Sequence, residues 1–302
     1  MSVPPKQKVI CLMGATATGK TTIAVEWATK YSFDIVSVDS AMVYRHMNIG
    51  TAKPQAALLK QAPHRLIDIL EPTESYSVAD FCTDALHEIE TICNGGRIPL
   101  LVGGTMLYFR ALQQGLSALP PANAAIRQQL AQDAARFGNE ALHQRLRCFD
   151  PAAAQRIQPT DTQRLQRALE VFLITGKPIS VLHQRTVALS QYEFINIAII
   201  PDTRQQLHKH IERRFQLMLA QGLIEEVEQL RNDYRLSLEL PSMRAVGYRQ
   251  VWQYLEGQYD RHTMQTKAIA ATRQLAKRQL TWLRSWDGVR VCPSDPTHLL
   301  KT

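Results

Sequence analysis

The stretch KVICLMGATATGKTTIAVEWATK, residues 8–30, decides the fold. Lys8–Met13 is a short apolar run closed by glycine, and it reads as a buried strand. Lys20–Lys30 has helical composition. Between them GATATGKT, Gly14–Thr21, matches the pattern G-x-x-x-x-G-K-[ST], with the strand before and the helix after that a phosphate loop requires. Gly14, Ala15, Thr16, Ala17, Thr18, Gly19, Lys20 and Thr21 are therefore the candidate phosphate-binding residues. Backbone N–H groups converge on phosphate oxygens there, and the helix N-terminus adds its positive end. Lys20 supplies a mobile charge, and the Thr21 hydroxyl is a candidate Mg²⁺ ligand. The motif specifies a phosphate chain and leaves its carrier open.

Outward from the loop, strand and helix patterns alternate. Strands are expected at Asp34–Val38, Arg65–Leu70 and Ile98–Val102. A helix capped by Ser77 should run from Val78 to about Asn94, and another should start at Thr105. Alternation of this kind implies a parallel sheet with flanking helices, the α/β arrangement of P-loop NTPase-like proteins. The texture changes at Pro120-Pro121. Ala124–Phe137, Glu140–Cys148 and Asp161–Thr175 are helical and rich in Ala, Gln and Arg, with Gly138 and Gly176 where C-caps belong. The expected organisation is a core from 1–118, an all-helical insertion over 119–190, and a second core part over 191–302. That last part opens with a strand at Phe194–Ile200. It continues as helices at Thr203–Ala220, Leu223–Asn232, Arg244–Leu255 and Arg261–Arg284, and a short strand at Val289–Cys292 ends it.

Charge is unevenly spread. The net charge of +8 arises from the insertion, where residues 121–190 carry +4, and from residues 261–302, which carry +6. Residues 1–120 are neutral and 191–260 carry −2. This asymmetry points to a polyanionic partner. The apolar runs are too short to span a bilayer, no signal peptide is expected, and the five scattered cysteines form no C-x-x-C. A cytoplasmic protein that does not engage membranes is expected.

Two further side chains stand out. Asp39 follows the second strand, where α/β sheets place their ligands, and suits a Mg²⁺ ligand, a general base or a turn cap. Leu207, Ile211, Phe215 and Met218 form an apolar stripe on one helix, and Arg214, seven residues after Leu207, falls inside it. An arginine so placed needs an anion or a carboxylate. Arg213 lies off the stripe and should be solvated or contact the polyanionic partner.

The strings GATATGKT, DSAMVYRHMNIGTAKP (Asp39–Pro54), PHRLID (Pro63–Asp68), YSVADF (Tyr76–Phe81) and PLLVGGTMLYFRAL (Pro99–Leu112) occur in order. DTQRLQRALEV (Asp161–Val171), IERRF (Ile211–Phe215) and MRAVGYRQ (Met243–Gln250) follow. Together they closely resemble the bacterial tRNA dimethylallyltransferase family from about residue 8 to residue 290. That family moves the dimethylallyl group of dimethylallyl diphosphate to the exocyclic amine of the adenosine immediately 3′ of the anticodon, in tRNAs reading codons that begin with U.

The resemblance implies that the loop holds a prenyl diphosphate with Mg²⁺, that Asp39 is the general base, and that Thr105 and Arg214 act beside the reacting centre. It also implies tRNA contacts, through the anticodon stem-loop, from Asp39, Ser40, Ala41, Met42 and Thr105. Further contacts fall at Arg127, at Gln163, Arg164, Leu165, Gln166 and Arg167, and at Arg244, Ala245, Val246, Gly247, Tyr248 and Arg249. Lys277, Arg278 and Arg284 complete the set. A monomer is expected. The chain departs from the common family loop GPTASGKT at Ala15 and Thr18, and Thr18 keeps the hydroxyl. A P-loop kinase of a small metabolite is the competing reading, and it leaves the basic insertion and C-terminal helix without a role.

Overall fold

The computed structural model describes residues 6–117, 119–182 and 191–292. The expected end of the insertion, over 183–190, lies outside them. Two compact units are present. The first comprises Met1–Gln113 with Ser190–Thr302, and the second Gln114–Leu189.

In chain order the first unit begins β1 (Gln7–Gly14), α1 (Lys20–Lys30), β2 (Phe33–Val38), α2 (Ala56–Gln61), β3 (His64–Arg65), α3 (Val78–Asn94), β4 (Ile98–Gly103) and α4 (Met106–Gln114). The second unit contains α5 (Ala124–Phe149), α6 (Pro151–Arg156), α7 (Thr162–Thr175) and α8 (Ile179–Leu182). The first unit resumes with β5 (Tyr192–Ile199), α9 (Arg204–Ala220), α10 (Leu223–Asp233), α11 (Tyr248–Leu255), α12 (Arg261–Arg284) and β6 (Arg290–Val291).

The strands form one sheet in the order β3-β2-β4-β1-β5-β6, and every pairing is parallel. β1 is buried from Val9 to Gly14 without alternation, as a strand covered on both faces must be. Register sets Met13 beside Gly103 and Val38 beside Gly103, so β1, β2 and β4 end at one level. The loops that follow these three strands therefore share one edge of the sheet. Gly103 is required there, because a Cβ would collide with the Val38 carbonyl.

Local signals account for most helix starts. Ser77 and Asp80 form a reciprocal capping box on α3, with Asp80 N–H donating to Ser77 Oγ at 3.2 Å. Thr203 caps α9 and Asp260 caps α12. In the second unit Gly138 (φ 81°) interrupts α5 where two helices were expected, and Gly176 (φ 67°) closes α7. That unit is all helical among its described residues and packs its own core around Leu130, Leu142, Leu146, Leu165 and Leu169.

Two expectations fail. The strand expected at Arg65–Leu70 stops at Arg65, because Leu66 and Asp68 take left-handed φ values of 59° and 53°. The turn brings Asp68 to the buried Lys53, Nζ to Oδ1 2.6 Å, and that ion pair replaces strand pairing. The helix expected from Arg244 starts only at Tyr248, because Gly247 (φ 98°) breaks it. Arg244, Ala245 and Val246 lie in the turn before it.

Candidate active site

The shared sheet edge opens into a cavity of about 610 Å³ within the first unit. Its polar end is the phosphate loop. Gly19 takes φ 84° and Ala17 φ 64°, so the loop is bent tightly into the first turn of α1. A Cβ on Gly14 would lie 2.8 Å from Thr18 Oγ1, which leaves that position to glycine. Thr18 Oγ1 and Lys20 Nζ both donate to the Ala15 carbonyl, at 2.8 and 2.7 Å. Ala15 itself is fully buried against Leu207, Ile211 and Ala276, which ties the loop to α9 and α12. Thr16, Ala17, Lys20 and Thr21 line the cavity.

Asp39 lines the same cavity at the end of β2. Its Oδ1 accepts from the N–H groups of Ala41 at 2.9 Å and Met42 at 3.3 Å, so one oxygen caps the turn. Thr105 Oγ1 accepts from Ser40 N–H at 3.2 Å, which holds that turn to the start of α4. Arg214 reaches in from α9, and its Nη2 donates to the Thr51 carbonyl at 3.4 Å. Its place in the apolar stripe implies an anion or carboxylate partner. Among the described residues Arg214 has no ion pair within 4.0 Å, and Asp39 acts on it only as a nearby charge.

Burial lowers the Lys20 pKa to about 8, with Asp39 opposing the shift and Arg214 adding to it. The Arg214 guanidinium is likewise pushed down by burial and supported by Asp39. Two confined cations thus face one carboxylate, an arrangement suited to a polyanion. Apolar side chains line the same cavity, among them Met106, Ile211, Phe215, Met218 and Leu275.

Thr21 and Asp39 are the candidate oxygen donors for a metal. No group of three or more His, Cys, Asp or Glu is placed to hold an ion among the described residues. This set is too small for a protein cage. It fits Mg²⁺ carried on phosphate oxygens, because that ion keeps waters and takes only one or two protein ligands.

The expected RNA-contacting residues divide into several groups. Ser40 is exposed, and Ala41 and Met42 are half-buried at the cavity. Lys277, Arg278 and Arg284 are exposed on α12, and Arg278 also lines the cavity. Arg244 and Arg249 are exposed, and Arg244 pairs with Glu239 at 2.9 Å. Ala245 and Val246 are half-buried, while Gly247 is buried. Arg213 is exposed.

In the second unit Gln163 and Arg164 are exposed and Gln166 is half-buried. Arg127 and Arg167 instead clamp the fully buried Glu170, at 2.9 and 2.7 Å. Their first partner is internal, although both keep exposed surface.

Two expected contacts are corrected. Leu165 is 0% exposed in the core of the second unit. Tyr248 is 0% exposed, and its hydroxyl donates to Glu226 at 2.5 Å. Neither side chain is free to touch RNA, because a helix carrying polar contacts on one face needs apolar anchors on the other.

Gln279 escaped the sequence reading. Its side chain accepts from Thr16 N–H and donates to the Gly104 carbonyl. It lies three residues after Ala276 and four before Leu283, both buried on α12, so the stripe logic that exposed Arg214 also applied here. The Thr51 carbonyl carried no side-chain signal.

A family profile described as IPP transferase matches residues 42–286. The match begins C-terminal to the phosphate loop and Asp39. The chain is 55% identical over 280 residues to the tRNA dimethylallyltransferase of Legionella pneumophila strain Paris, covering 93% of this chain and 90% of that protein. Among solved structures, the tRNA isopentenylpyrophosphate transferase of Bacillus halodurans is 36% identical, with a TM-score of 0.68 over 95% of this chain and 90% of that one. A eukaryotic dimethylallyltransferase acting on tRNA aligns with a TM-score of 0.77 over 92% of this chain and 70% of that one. At 24% identity that last likeness speaks for the fold alone.

Proposed function

This chain belongs to the IPP transferase family, and from that premise we propose that it transfers the dimethylallyl group of dimethylallyl diphosphate to a tRNA adenosine. The acceptor is the N6 amine of the adenosine immediately 3′ of the anticodon, in tRNAs reading codons that begin with U. The observation that carries this is one cavity lined both by Lys20, Arg214 and Asp39 and by the apolar Met106, Ile211, Phe215, Met218 and Leu275. A phosphate chain bearing a short hydrocarbon matches both kinds of lining.

The C1–O bond of the donor breaks, and its electron pair stays on the departing diphosphate. Loop N–H groups, Lys20 and Arg214 stabilise the charge that develops there. The N6–C1 bond forms, and the amine proton passes to the Asp39 carboxylate, which lines the same cavity. Mg²⁺, held by Thr21 and phosphate oxygens, would supply further neutralisation of the leaving group.

On the RNA side, the exposed Lys277, Arg278 and Arg284 would bind phosphate and set register. The adenosine must leave its stack to reach the cavity. We place the enzyme in the cytoplasm as a monomer. Its five cysteines are scattered and form no C-x-x-C, in keeping with a reducing compartment, and no described helix is long and apolar enough to cross a membrane.

The test incubates unmodified tRNA with the protein, Mg²⁺ and either labelled dimethylallyl diphosphate or labelled ATP. Label and the mass of one dimethylallyl group should enter tRNA only from the prenyl donor. Transfer from ATP, or no transfer from the prenyl donor, overturns the proposal.

A further inference from the structure

We infer that Gln279 is a positioning residue that fixes the phosphate loop against the turn carrying Asp39. Its Oε1 accepts from Thr16 N–H at 2.9 Å, and its Nε2 donates to the Gly104 carbonyl at 2.8 Å. A primary amide is the side chain that offers an acceptor and a donor in one rigid plane, whereas Glu would only accept and Lys only donate. The network continues beyond Gly104. The next residue, Thr105, accepts from Ser40 N–H at 3.2 Å, and Ser40 follows Asp39. Hydrogen bonds thus run from the phosphate loop through Gln279 and Thr105 to the Asp39 turn.

The backbone is shaped for this side chain. A Cβ on Gly104 would lie 2.5 Å from Gln279 Nε2 and 3.2 Å from the Gly14 carbonyl, so the amide occupies the space a methyl group would take. Ala276 and Leu280, on the same face of α12, share one apolar cluster with Ala15 and Ala17 of the loop. The neighbouring Lys277 and Arg278 are exposed. One helix therefore presents charge outward and an amide clamp inward.

This role rests on the prenyl-transfer reading. There the breaking C–O bond ends at the phosphate loop and the amine proton ends at Asp39. Gln279 sets the span between the two. Misplacement by about 1 Å in such a geometry costs on the order of 100-fold in rate.

The test measures single-turnover prenyl transfer to tRNA, KM for tRNA and thermal unfolding, in wild type and in Gln279→Met, Gln279→Ala, Gln279→Glu and Gly104→Ala. Gln279→Met keeps length and removes both bonds. The expected result is a loss of about tenfold or more in rate, with KM for tRNA within about twofold of wild type and an unchanged unfolding temperature. Gln279→Glu keeps the Thr16 acceptor, sets a carboxylate against the Gly104 carbonyl, and should also be slow. Gly104→Ala should reproduce the defect by displacing the amide, and should add less to Gln279→Ala, where only the 3.2 Å approach to the Gly14 carbonyl remains. Wild-type rates in Gln279→Met, effects of Gly104→Ala and Gln279→Ala that multiply, or a rate loss matched by loss of folded protein in every Gln279 variant would overturn the inference. A wild-type protein that fails to prenylate tRNA defeats the functional reading instead.

Discussion

Lys20 Nζ donates to the carbonyl of Ala15, 2.7 Å away and five residues back in its own loop. The amine is half-buried, and its desolvation holds its pKa at about 8 instead of 10.5. Between those values the free protein carries a neutral Lys20, while the unfolded chain carries a charged one. Stability therefore rises with pH across this window, because the unfolded state binds the extra proton.

A bound diphosphate reverses the balance by favouring the charged amine. Just above pH 8, diphosphate binding should take up protons in wild type and not in Lys20→Met. Calorimetry in two buffers of different ionisation enthalpy reads this directly. Equal proton uptake in both proteins would remove Lys20 from the site.

Asp39→Asn is the informative change at the proposed base. The amide oxygen can still cap Ala41 and Met42, so the turn survives while the charge and the proton acceptor are lost. Prenyl transfer should fall by roughly 10²–10⁴, the usual worth of general-base help. Binding of tRNA should change little. Turnover near wild type would reassign Asp39 to a turn cap alone.

Lys20→Ala and Arg214→Ala should damage the same event, the binding and departure of diphosphate. Both cations face Asp39 across one cavity, and Arg214 is otherwise tethered only to the Thr51 carbonyl among the described residues. Their effects should be non-additive in a double-mutant cycle. Independent addition would make Arg214 a structural link between α9 and the Thr51 loop.

Neutralising Lys277, Arg278 and Arg284 together should weaken tRNA binding and flatten its salt dependence. Each lost phosphate contact removes roughly 0.7–0.9 from the slope of log K against log salt. All three are exposed on α12 and unpaired with carboxylates among the described residues. An unchanged slope, measured by titration at several salt concentrations, would leave this face merely solvated.

Glu170 makes the second unit acid-sensitive. Burial raises its pKa, and hydrogen bonds from Arg127, Arg167 and the Asn123 amide more than offset that, so the net shift is downward. A carboxylate depressed in the folded state contributes stability above its unfolded pKa and loses it as pH falls through the folded value. Wild type should therefore lose stability on acidification more steeply than Glu170→Gln does. Parallel pH profiles of the unfolding temperature would show that the clamp contributes nothing.

The sequence by itself determined what is local or periodic. GATATGKT between an apolar run and a helical one dictated the phosphate loop. Ser77 announced its helix, and the stripe on α9 exposed Arg214 as an inward-facing cation. These signals lie within one or two turns of chain, where capping and hydrophobic period act. Tertiary structure decided what depends on distant partners. Arg65–Leu70 looked like a strand until Asp68 found Lys53, and Gly247 ended a helix that local composition would have continued. Leu165 and Tyr248 sit inside stretches that resemble RNA contacts, yet packing turned both inward. Gln279 meets Thr16 across 263 residues of chain. The partner of a buried amide is set by which helix face packs on which loop, and that choice is made by the whole core.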